Sequence, residues 1–61
     1  MAIMKGDRFR HKFTNQLYKV KVIKNGTLIL ESKDSPYRVW IGDGDVDIFF
    51  EVVEKKQELR R

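Results

Sequence analysis

The chain has 61 residues, of which 41% are hydrophobic and 36% charged, with no cysteine and a formal net charge of +4. At this length it makes a single domain that buries only about 60% of the surface its unfolded form exposes. Without cysteine it has no disulfide staple and no thiolate for catalysis or metal binding, which fits a reducing cytoplasm, and no apolar run approaches the ~20 residues of a membrane helix.

The opening "MAIMKGDRFR" is charged at Lys5 and too short in its apolar run for a signal peptide. "GDRFRHKF" alternates: Arg8, Arg10 and Lys12 fall on one parity, Phe9 and His11 on the other, which predicts a strand. "FTNQLY" reads as a loop. "YKVKVIK" alternates more cleanly, with Tyr18, Val20 and Val22 on one face and Lys19 and Lys21 on the other. Asn25-Gly26 then precedes "TLILES", and Asn-Gly between two β-rich runs predicts a hairpin, because a type I′ turn needs positive φ at both central residues. "KDSP" makes the next turn, where Pro36 keeps Ser35 out of the helical region. "YRVWI" is a further strand, so a three-stranded meander is expected over residues 17–41.

Beyond Gly42 two readings compete. Val46, Phe49, Phe50 and Val53 have the spacing of a helical face, and Glu51 to Lys55 is a favourable i, i+4 pair, so a helix from Val46 to about Leu59 is one possibility. "FFEVVE" is also rich in aromatic and β-branched residues. The preferred expectation is a short helical turn at 45–49 and a fifth strand near 50–54. The ordered core is expected over about 5–54, with Phe9, Tyr18, Val20, Val22, Leu28, Leu30, Val39 and Phe49 inside, and a charged tail over 55–61 that frays.

"KGDRFRH" resembles the glycine-led opening strand of small SH3-like barrels, the architecture of Tudor- and KOW-type modules. "GDGDVDIFFEVV" resembles their helical turn before the last strand. The resemblance is one of pattern and covers roughly residues 5–54. It implies a mainly β fold, a five-stranded barrel with a short helical turn before the last strand, closed or nearly so. The alternative is a three- to four-stranded antiparallel sheet with a C-terminal helix.

Asp43, Asp45, Asp47 and Glu54 have the ligand spacing of a calcium loop, but the position that needs glycine holds Ile48, followed by Phe49 and Phe50. These acids read better as a joint between strand and helix. Asp45 can cap the helical turn through its side chain, and Asp47 suits the positive end of the helix dipole. No metal or other cofactor is therefore expected. With a single histidine, His11, and no partner for the hydroxyls, nucleophilic catalysis has no support either, and no small-molecule substrate is indicated.

Charge is uneven along the chain: seven basic residues against one acidic in 1–30, two against seven in 31–54, and four against one in 55–61. If the first two strands pair, Arg8, Arg10, Lys12, Lys19 and Lys21 form one cationic patch suited to a phosphate backbone. Arg38 and Trp40 share a parity. Trp40 then either faces outward as a base-stacking platform or protein hot spot, or packs against Ile29 or Val53 and seals the barrel. Tyr18 is a second stacking candidate. Two functions follow: a non-enzymatic, largely sequence-independent nucleic-acid-binding module, or a protein-interaction module that uses the acidic turn and Trp40.

Overall fold

The computed structural model describes residues 3–55. Five strands and one helical turn follow in order: β1 (Arg8–His11), β2 (Leu17–Lys24), β3 (Thr27–Ser32), β4 (Arg38–Gly42), α1 (Val46–Phe49) and β5 (Phe50–Glu54). All pairings are antiparallel, in one sheet of order β4-β3-β2-β1-β5. The fold is thus mainly β, with a short helix before the last strand, and is compatible with an SH3-like architecture. The alternative of a continuous helix beyond Val46 fails at Phe50, where the chain is already extended (φ −130°, ψ 155°) and enters β5. The sheet is not closed into a barrel: β4 and β5 are its two edges. The charged tail beyond Lys55 lies outside the described residues.

The turns explain themselves. Asn25 and Gly26 both have positive φ, 53° and 76°, as a type I′ hairpin requires. Gly6, at φ 96°, sits third in a tight turn closed by the Asp7 N–H donating to the Met4 carbonyl at 3.0 Å. His11 organises the β1–β2 connection: its Nδ1 accepts from the Phe13 and Thr14 N–H groups at 3.1 and 3.3 Å.

Phe9, Tyr18, Val20, Leu28, Leu30, Val46 and Phe50 form the buried core, with Ile3, Val39 and Ile41 packed against it. Phe50 is its aromatic centre, meeting Phe9, Tyr18 and His11 edge-on at 6.5, 5.3 and 4.9 Å between ring centroids. Two expected core positions are corrected. Val22 is 39% exposed because the β2–β3 register slips between Val20 and Val22. Lys21 is the extra residue of that bulge, and the alternation read through "YKVKVIK" changes face there. Phe49 is 42% exposed. The helical turn ends beside it, and Phe50, four residues after Val46 and paired with His11, takes the inward position. Val39 is only partly buried.

Candidate functional site

The core occupies one face of the sheet, and alternation sends the remaining side chains to the other. On β4, Val39 and Ile41 pack on the core, so Arg38, Trp40 and Gly42 face outward. On β3 the buried Leu28, Leu30 and Ser32 leave Thr27, Ile29 and Glu31 outside. Register then aligns two outer rows. Trp40 pairs with Ile29, and Ile29 with Val22. Next to them run Arg38, Glu31, Lys19 and Arg8, ending at Glu54 on β5. The bulge that displaces Val22 from the core is what completes the apolar row.

Trp40 is 64% exposed and does not seal the sheet. Among the described residues it stands against no other ring. Tyr18 is not available for stacking: it is buried against Phe50 and its hydroxyl donates to Gln16 Oε1 at 3.2 Å.

The structure brings Arg8, Arg10, Lys19, Lys21 and Arg38 to this outer face, but it also brings carboxylates among them. Arg8 lies 3.6 Å from Glu54, and Lys21 and Arg38 lie 3.4 and 3.5 Å from the two oxygens of Glu31. Arg10 hydrogen-bonds Glu51. That bond, reinforced by the guanidinium charge, holds the Glu51 carboxyl below the usual glutamate range. The acidic run of the sequence is folded onto the basic strand because β5 pairs with β1. Lys12 is drawn away from the patch, its Nζ donating to the Asp47 carbonyl at 2.6 Å. Among the described residues Lys19, Lys24 and Lys33 make no ion pair. A cleft of about 290 Å³ opens beside Lys19, between Arg8, Leu17, Lys33 and Val53.

The aspartates behave as a joint, with one correction. Asp45 occupies the N-cap position of α1 but makes no side-chain cap bond, because its backbone is already helical there (φ −106°, ψ −11°). Its carboxylate stands over Gly42 instead, with Oδ2 3.6 Å from where a β-carbon would be. Asp47 lies in the first helical turn. Among the described residues no three His, Asp or Glu side chains converge as a metal site would need.

One charged residue escaped the sequence reading. Asp7 is fully buried, and its Oδ2 accepts from the Lys55 ammonium at 2.8 Å and from the Met4 N–H at 2.9 Å. The only signal was its place after Gly6, at the mouth of a strand, a position where Asp usually serves a turn. No protein-family model, curated protein or solved structure matches the chain.

Proposed function

We propose that the chain is a non-enzymatic binding module that takes nucleic acid on the outer face of its sheet, with little preference for sequence. The observation that carries the reading is the exposed Trp40 on an open sheet face, with Arg38, Lys21 and Lys19 to one side of its row and Lys24 to the other. An aromatic platform among cations suits single strands: bases stack on the ring while the cations follow the phosphates. The ion pairs on this face do not defeat the reading. Exposed pairs are worth at most ~1 kcal/mol, whereas stacking one base contributes about 1–3 kcal/mol, so binding at Trp40 does not require Lys21 or Arg38 to leave Glu31.

The likeness to Tudor- or KOW-type modules adds a shape and not a ligand. The aromatic cage by which Tudor-type modules hold methylated residues has no counterpart around Trp40 among the described residues, where no other ring stands against it. The non-enzymatic part of the proposal is supported by His11, whose Nδ1 is taken up by backbone N–H groups. A cytoplasmic setting belongs to the same proposal and rests on the cysteine-free composition. Among the described residues no helix is long and apolar enough to cross a membrane.

Trp40 is the single tryptophan, so intrinsic fluorescence reports on the proposed platform directly. Titration with a short single-stranded oligonucleotide at low salt should quench it, and Trp40→Ala should weaken binding about tenfold or more by anisotropy. Neither quenching nor an anisotropy change at low salt would leave the protein-interaction reading, through Trp40 and the acidic turn, as the better one.

A further inference from the structure

The open edge of β4 is poorly defended. Edge strands ordinarily discourage pairing with lysine, proline or charge, and the other edge, β5, carries Glu51 and Glu54. The middle of β4 is Val39-Trp40-Ile41, uncharged and of high strand propensity. The ladder also shows which backbone groups are free. The Ser32 N–H donates to the Tyr37 carbonyl and the Asp43 N–H to the Gly26 carbonyl. Alternate residues of an antiparallel strand bond to alternate sides. Val39 and Ile41, in phase with Tyr37 and Asp43, therefore bond to β3. Arg38 and Trp40 direct their N–H and carbonyl groups to the open edge, as Gly42 directs its N–H, while the Gly42 carbonyl accepts from the Asp45 N–H at 3.0 Å.

We propose that β4 pairs antiparallel with β4 of a second copy of this chain, about a two-fold axis at Trp40, so that the two sheets become continuous. Parity and charge choose this occupant and this register. With Trp40 opposite Trp40, Arg38 falls opposite Gly42: the two Trp40 residues exchange both backbone bonds, the Gly42 N–H meets the Arg38 carbonyl, and the Arg38 N–H meets the Gly42 carbonyl that also accepts from Asp45. Gly42 has no side chain, and the space above it on the outer face holds the Asp45 carboxylate. Arg38 of the second copy therefore arrives beside Asp45, and symmetry repeats the contact. A parallel pairing would set Arg38 against Arg38 and Asp45 against Asp45. The isologous antiparallel contact also joins the two Val22–Ile29–Trp40 rows end to end and covers part of each indole.

The inference is independent of the nucleic-acid reading, because association is measured on nucleic-acid-free protein. Sedimentation at rising concentration should approach twice the 7.3 kDa of the single chain. Gly42→Pro removes an N–H aimed at the open edge and none that β3 uses. It should sediment as a monomer while keeping the amide spectrum of the fold. Arg38→Glu and Asp45→Arg should each weaken association about tenfold, and the two together should restore it. If Gly42→Pro fails to fold, the charge exchange decides alone. A wild-type mass of one chain at every concentration would overturn the proposal. So would undiminished association of folded Gly42→Pro, or a double reversal no tighter than either single one.

Discussion

Asp7 carries the one fully buried carboxylate among the described residues, and its environment makes its partners unequal. The Lys55 side chain keeps about a third of its exposure, so it can turn to water when Asp7 is neutralised. The Asp7 carboxylate has no such exit. Lys55→Met removes one contact of the buried carboxylate and should therefore cost up to about 3 kcal/mol, the scale for taking an ion-pair partner from a buried charge. Asp7→Asn still offers an acceptor to the Met4 N–H and should cost nearer ~1–2 kcal/mol. Urea denaturation orders the two, and an Asn variant as costly as the Met variant would remove the charge pair from the account. Glu51 makes a contrasting, exposed case. Arg10 depresses its pKa, so the pair's contribution is present above the unfolded value and is lost as pH falls through the lower, folded one. The Glu51 carboxyl resonance should titrate below the ordinary glutamate range, and Arg10→Ala should return it there.

At the scale of elements the β2–β3 hairpin is governed by backbone conformation. A β-carbon at Gly26 would meet nothing nearer than the Asp43 carboxylate at 3.9 Å, so space is not the constraint. Its φ of 76° is, and Gly26→Ala should cost about 1–2 kcal/mol through the left-handed conformation alone. In a domain of this size each kcal/mol lowers the melting midpoint by about 4–8 °C, which a thermal scan resolves. An unchanged midpoint would mean that the turn can relax to another type. This hairpin was legible because Asn-Gly acts locally, and so were the strand periods that put Phe9, Tyr18, Val20, Leu28 and Leu30 inside. The bulge at Lys21 was not. Nothing local marks it; it arises where β2, paired with β1 only over residues 17–19, continues against β3 to Lys24. The choice of Phe50 over Phe49 was equally hidden, since both fit the helical spacing from Val46 and only the start of β5 separates them. Asp45 looked like a side-chain cap by its position, and its helical backbone angles took that role away.

Across the whole molecule, topology changes what the charge pattern means. Read along the chain, basic and acidic segments are separate, and five cations on the first two strands suggest about five phosphate contacts. Pairing of β5 with β1 sets Glu51 and Glu54 beside Arg10 and Arg8, and β3 sets Glu31 between Lys21 and Arg38. Among the described residues Lys5, Lys12, Lys19, Lys24 and Lys33 make no such pair; Lys12 is held by the Asp47 carbonyl, and Lys19, Lys24 and Lys33 are the ones assigned to the proposed interface. The proposed interface should thus release about three counterions, and with a single strand the slope of log K against log salt becomes about −2. Raising salt from ~50 to ~200 mM would then weaken binding roughly twentyfold, where five contacts with a duplex would give roughly 500-fold. The same count ranks the variants. Lys19→Glu reverses a free cation inside the patch and should reduce affinity more than Arg10→Glu, whose cation is already answered by Glu51. Anisotropy at two salt concentrations with these two variants tests both statements. With the same single strand, a slope of about −3.5, as five contacts would give, or an Arg10 reversal more damaging than that of Lys19, would mean that the carboxylates give way and that the first strand, not the ground around Trp40, is where phosphates bind.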